Sequence, residues 1–387
     1  MGIRAYEIAR ALAAEFEVVL LVPEGSDRTL APPGIEWERF EIARVERSLS
    51  RCAAAVVSGH LGAELLRRTE VPAAVDWYDP FLVENFRYRD LLGPTVEAND
   101  RAAWGLMISR GDFFLCASEE QRLFYLGMLV EAGRVTAVQA GADPALERLL
   151  AIVPFGVAPR APGRPEETRA RIGASPEDPV VLFGGLYDWY DPAPLLSAWE
   201  RLLVRFPGAR LLFCESPNRE TTPQEALESA SAQARRRGWL DRCVFFLPWT
   251  PYDRRGDLYS ASTVAACCCR PGLETDLSFR TRLLDAASFG LPSVSIHGGT
   301  LARALEAAGA GRCARDEASL ERALAAYLGD AELRREASAR ASRFAADFEW
   351  PRVVEPLAAW LRNPVAGSRA LSTPPTRGSR LFRREHA

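Results

Sequence analysis

Short apolar runs alternate with amphipathic stretches along most of the chain. Val18–Val22, Ala53–Val57, Ala73–Trp77 and Phe113–Ala117 are nearly unbroken apolar runs of strand length, and the segments between them carry apolar residues at helical spacing. The first helix is predicted over Ile3–Ala14, with Ile3, Tyr6, Ile8, Ala9, Leu12 and Ala13 on one side. Strands without a polar face, separated by helices, imply a parallel sheet covered on both sides. After Val153–Val157, a stretch rich in Pro and Gly opens an interdomain linker over 158–177. The same alternation then restarts. Strands are predicted at Val180–Phe183, Ala209–Cys214, Cys243–Leu247, Thr263–Cys269 and Ser293–His297, and helices at Pro194–Arg205, Thr222–Gly238, Arg255–Ala261 and Phe279–Phe289, with two more from Leu301 and Leu320. The fold class is therefore α/β, with two Rossmann-like doubly wound domains, 1–157 and 178–347, facing a cleft. Phe348–Leu361 carries one more apolar helical face, and from Asn363 to Ala387 periodicity is lost, as in a disordered basic tail. A doubly wound domain normally begins with a strand that becomes central in its sheet, whereas this sequence opens at a helix amino end. Either a strand lies upstream of Met1 or another segment fills that slot.

Composition narrows the function classes. The 387 residues, 48% of them hydrophobic, suffice for two buried cores, and a net charge of −3 gives no reason to expect nucleic-acid binding. No apolar run reaches the ~20 residues of a membrane span, so a soluble cytoplasmic protein is expected, with peripheral membrane contact left open. The eight cysteines include no CxxC pair and read as reduced, packed thiols. All 48 basic residues are arginine, which removes Schiff-base lysine chemistry and a P-loop lysine. An anionic substrate must be held by arginine or by backbone N–H groups.

The segment Arg270–Ser295 concentrates the chemistry. Glu274, Asp276, Arg280, Arg282 and Asp285 fall in a loop and helix opening between two apolar strands, where a parallel sheet places its ligands. Carboxylates suit sugar hydroxyls, and guanidiniums suit a diphosphate. His297–Thr300 ends a strand and opens a helix, so the N–H groups of Gly299 and Thr300 form a second candidate anion site. No GxGxxG follows a strand, which argues against a nicotinamide enzyme. His60, in SGHLG after a strand, is placed where it could face the cleft, but a lone histidine in a loop reads first as a surface residue.

With GIRAYEIARALA, VDWYDPFLVEN, CASEEQRLFYLGML, VPFGV, LFGGLYDWYDPAPLLSAWERL, ETDLSFRTRLLDAASFGLP and FEWPRVVEPLAAWL in this order, the chain resembles a family 4 (group 1) glycosyltransferase of the GT-B fold from Gly2 to about Arg362. The resemblance implies transfer of a sugar from a nucleotide diphosphate donor to an unidentified acceptor, with retention and without metal or other cofactor. In the family, two carboxylates stand eight positions apart. Asp285 matches the second, which contacts ribose, while Leu277 occupies the first position, so Asp276 or Glu274 substitutes for it. After the strand ending in Gly184 and Gly185, the family carries Arg and Lys. This chain has Tyr187, Asp188, Trp189, Tyr190 and Asp191 instead, which passes the diphosphate to Arg280 and Arg282 and leaves Trp189 and Tyr190 to stack on base or sugar. Gly2 and Arg4 stand at the family's Gly-rich donor turn. Tyr78 replaces a family histidine, so Asp79 becomes the candidate base or orienting group. The helix at 348–362 is expected to cross back to the first domain. An alternative is a catalytically inactive GT-B relative that binds donor or acts as a scaffold subunit. A nucleotide-sugar epimerase on the same fold is a further rival, one that would need an acid and base pair around the sugar.

Overall fold

A computed structural model describes residues 2–24, 26, 34–158, 163–215 and 222–366. The end of the tail, from 367 onward, lies outside them, as do part of the linker and Thr221.

The first domain begins with helix Gly2–Leu12. Strands β1 (Val19–Val22) and β2 (Glu36–Arg39) pair in parallel as a two-stranded sheet. Strands β3 (Ala55–Val57), β4 (Ala73–Asp76), β5 (Phe113–Cys116) and β6 (Leu150–Ile152) form a second parallel sheet in sequential order. Every residue of β4 and β5 is buried, the consequence of helices on both faces. The polar strand EWER (β2) carried no apolar pattern by which to foresee it. Among the described residues no strand joins β1 to β3, so each keeps one edge without a ladder partner.

The second domain contains β7 (Val180–Gly185), β8 (Arg210–Cys214), β9 (Val244–Leu247), β10 (Val264–Cys268), β11 (Ser293–Ile296) and β12 (Gly311–Ala314). They are all parallel, in the order β12-β11-β10-β7-β8-β9. That order reverses between β7 and β10, and a doubly wound sheet opens its ligand crevice at such a reversal.

The C-terminal segment is broken, not one helix. It runs as Trp350–Val353 and Glu355–Leu361, with a proline in the first turn of each piece. A proline has no N–H to give the preceding turn, so Pro356 starts a new helix instead of continuing the first. The segment packs on the first domain. Trp350 lies against Gly156, where an added Cβ would come within 2.4 Å of the indole, and Trp360 stacks on Phe113 at 5.5 Å. One apolar cluster thus runs from Phe113 and Val153 through Trp350 and Leu357 into Val181 and Phe183.

Direct contacts also hold the carboxyl edges of the two sheets together. Gln121, fully buried, accepts a hydrogen bond from the Ala117 N–H at 2.7 Å and donates to the carbonyls of Tyr78 at 2.9 Å and Leu277 at 2.8 Å. Tyr78 donates its hydroxyl to the Phe279 carbonyl at 3.0 Å.

Candidate functional site

The cleft is bounded by residues 78–88 of the first domain and by the segments after β7 and β10 of the second. Near its carboxyl end β7 shifts register between Leu182 and Gly184, and the irregularity requires Gly184, whose φ is +80°. Past it the chain folds back, and Tyr190 forms an isolated bridge with Cys269 beyond β10. Tyr190 is thereby buried, and its ring supports two guanidiniums, Arg282 at 3.7 Å and Arg280 at 5.2 Å from the centroid. Burial pushes the Tyr190 phenol up to about 12, while the two arginines pull it down. The ring is a platform for cations, not a stacking surface for a base.

The two arginines differ in what they have left to offer. Arg280 is buried; its Nη2 donates to Glu274 Oε2 at 2.7 Å and to Thr275 Oγ1 at 3.1 Å, and its Nε is buried without a partner. Arg282, in the first turn of helix Thr281–Ser288, donates Nη1 to the Phe183 carbonyl at 3.1 Å and forms no ion pair with a described carboxylate. Next to Gly184, it retains the charge an anion would need. Beneath both, Cys267 and Cys269 lie with sulfurs 3.7 Å apart. The hydrogen bond from Cys269, helped by Arg282 and Arg280, lowers the Cys267 thiol.

Across the cleft stands a carboxyl pair that sequence reasoning only half found. Asp79 is hydrogen-bonded to Glu84, and the charges of Glu274 and Arg280 act on Glu84 from the other domain. Burial first, then Asp79, holds the Glu84 carboxyl well above the usual carboxylate range, which favours its neutral form. Its spacing of five from Asp79 matches no helical repeat, and only the turn after Pro80 brings the two together. The cleft wall continues in aromatic rings from both domains, with Trp189 stacked on Tyr187 at 5.1 Å and Tyr88 at 6.0 Å from Trp189.

Other expected site residues are placed differently. Arg4 is 1% exposed; it donates to both oxygens of Asp76, at 2.7 and 2.9 Å, and to the carbonyls of Val153 and Pro154, each at 2.8 Å. It holds β4 and the segment after β6 together and has no charge to present to a donor. Gly2 is exposed at the helix opening. Asp276 is exposed, whereas Glu274 turns inward to Arg280 and Ser278. Asp285 is buried, with Arg255 Nη1 3.5 Å from its Oδ2. Thr300 hydrogen-bonds Glu120 of the first domain, and Arg303 pairs with the same carboxylate at 2.8 Å. The Thr300 hydroxyl at this helix opening thus already meets a protein carboxylate, and Gly299 itself has φ +70° and abuts the Thr275 carbonyl. Gly185 packs against the Tyr187 ring.

Comparisons with known proteins agree with this architecture. Residues 210–359 match a family described as "Glycosyl transferase-like". The D-inositol 3-phosphate glycosyltransferase of Nocardia farcinica is 30% identical over 203 residues, 51% of this chain and 43% of that protein, so the match spans less than half of its relative. Sucrose-phosphate synthase of Thermosynechococcus elongatus superposes with a TM-score of 0.69 at 14% identity, over 93% of this chain and 92% of that one. Anabaena HepE in complex with UDP-glucose superposes with a TM-score of 0.69 at 17% identity, over 93% and 95%. Among the described residues no helix is long and apolar enough to cross a membrane. With two parallel sheets meeting carboxyl edge to carboxyl edge across a cleft, and these structures superposing over nearly its whole length, the chain has the GT-B glycosyltransferase fold.

Proposed function

We propose that the protein is a retaining, metal-independent glycosyltransferase of the family 4 type, taking its sugar from a uridine diphosphate donor. The observation that carries this reading is Arg282, a partly buried cation without a carboxylate partner among the described residues, set over Tyr190 where the strand order reverses. A diphosphate is the natural occupant of such a position, because it meets the charge and excludes water from it. Arg282 and the spare Nε of Arg280 bind the diphosphate oxygens and stabilise them as the bond to the anomeric carbon breaks. Asp276, which is exposed, is left to face the sugar hydroxyls while Glu274 fixes Arg280, and Asp285 supports the nucleotide side by fixing Arg255. Protonated Glu84 and its partner Asp79 line the sugar subsite from the first domain, where a neutral carboxyl donates a hydrogen bond that an ionised one cannot. HepE, which shares the fold, was crystallised with UDP-glucose, which makes uridine the first base to try. All eight cysteines are unpaired thiols, which supports a reducing, cytoplasmic location.

Calorimetric titration with UDP, GDP, TDP and UDP-glucose tests the reading, followed by measurement of UDP release from UDP-glucose. Binding of UDP, stronger than that of uridine and lost in Arg282→Ala, is expected. Absence of any preference for the diphosphate over the nucleoside would remove its basis.

A further inference from the structure

His60 looked solitary in sequence and is not. It sits in the first turn of helix Gly59–Leu66, immediately after β3. β3 pairs with β4, and the segment after β4 carries Tyr78, Asp79 and Glu84 into the cleft. Neighbouring strands lie ~4.8 Å apart, so His60 stands one strand over from Tyr78, on the edge that faces the second domain. Its Nε2 is 2.8 Å from Asp100 Oδ1, and Asp100, on helix Val96–Arg110, is itself 1% exposed. The other oxygen of Asp100 accepts from Asn85 Nδ2 at 2.9 Å, and Asn85 directly follows Glu84. The Phe81 ring packs on the imidazole at 5.1 Å. A buried carboxylate with two donors thus holds an imidazole whose side chain remains 53% exposed. Because the carboxylate only accepts, Nε2 carries the hydrogen, and in the neutral ring Nδ1 is then the nitrogen left with a lone pair. An imidazole oriented by a carboxylate at the edge of a cleft is the arrangement that takes a proton from a hydroxyl. Tyr78, the residue where the resemblance places an imidazole, cannot serve, since its hydroxyl is committed to Phe279.

We propose that His60 is the proton acceptor for the attacking hydroxyl and that Asp100 is its positioning residue, an assignment that rests on the glycosyltransferase reading above. As the bond from the anomeric carbon to the diphosphate oxygen breaks, its electrons leave with the diphosphate. The acceptor oxygen then bonds to that carbon, and its proton passes to His60 Nδ1. Attack on the face the diphosphate has left retains configuration, so a base on the first domain is compatible with retention. The structure assigns the acceptor accordingly: a molecule that offers a neutral hydroxyl, not a nucleophile that is already anionic.

Two measurements decide the matter. The chain has three histidines, so nitrogen-15 NMR of histidine-labelled protein resolves each of them. His60 is expected as the Nε2–H tautomer, and that preference should disappear in Asp100→Asn; an Nδ1–H tautomer in the unmodified protein overturns the proposal. The second measurement is UDP release from UDP-glucose, with water or with azide as the nucleophile. Azide has no proton to lose and does not need the base. His60→Gln is expected to slow release into water by about 100-fold, with azide-dependent release and UDP affinity unchanged. Equal loss with both nucleophiles, or no loss with either, overturns it. Failure of the donor reading shows separately, as absence of UDP binding by the unmodified protein, and the tautomer result still decides for or against His60.

Discussion

Arg280 and Arg282 are two positions apart in sequence and do different work. Arg280 is engaged with Glu274, so Arg280→Ala leaves a largely buried carboxylate without its cation, and a loss of about 3 kcal/mol in unfolding free energy is expected. Arg282→Ala breaks no ion pair with a described residue, so its melt should change little while UDP binding weakens by about 2 kcal/mol. Urea melts and titration calorimetry of both variants test the contrast; an Arg280→Ala protein that melts like its parent would remove the distinction. Glu84 makes a prediction in pH. Its carboxyl titrates higher in the fold than in the unfolded chain, chiefly through burial and then through Asp79. The folded state therefore binds the extra proton, and this contribution is fully present below the ordinary glutamate range and lost as pH rises through the raised value. Glu84→Gln, which keeps the donor but cannot ionise, should flatten the fall of stability with rising pH. An unchanged slope in pH-dependent urea melts would mean that Glu84 is ionised in the fold.

At the scale of elements, the segment 348–361 connects the ends of the chain. Val157 and Glu349 form a bridge, Trp350 fills the space over Gly156, and Arg362 pairs with Glu15 beyond the first helix. Gly156→Ala puts a methyl into the Trp350 indole and should cost about 1–3 kcal/mol, because neither backbone nor ring can move away cheaply. Deletion from Phe348 onward should abolish soluble expression, since it uncovers the apolar surface that Trp350, Leu357 and Trp360 bury. Deletion of 363–387 should leave the melting temperature where it was. A large drop for the shorter deletion would show that the tail packs on the fold.

For the whole molecule, Gln121 is the residue on which the meeting of the two domains most depends. Its amide satisfies one group in its own turn, a second after β4 and a third in the other domain. Gln121→Leu keeps the volume and leaves those three groups unpaired, at about 1–3 kcal/mol for each that water cannot reach. The expected result is a lower melting temperature together with faster amide exchange in 277–283, beyond what destabilisation of the first domain alone produces. Exchange confined to the first domain would mean that the domains are held by the 348–361 crossing and not by this contact.

The alternation of apolar runs and amphipathic stretches was enough to determine two doubly wound domains, because burial on both faces leaves a strand no polar side. The Arg280 to Asp285 cluster was legible for a similar reason: charges between two buried strands must lie at a sheet edge. Strand β2 was not legible, since EWER buries too little to show a pattern, and the break at Pro356 was hidden by an apolar face that continues across it. Which charges remain available is a tertiary matter. Nothing local distinguishes Arg4, closed in by Asp76 some 72 residues away, from Arg282, which has no such carboxylate among the described residues. Thr300 looked like an anion site until Glu120 met it from the other domain. His60 looked solitary because Asp100 is 40 residues distant and Asn85 belongs to another turn. Spacing and composition determine which elements form and which edge they share. The partner of each charge depends on contacts between residues far apart in the chain, and only the packed fold brings those together.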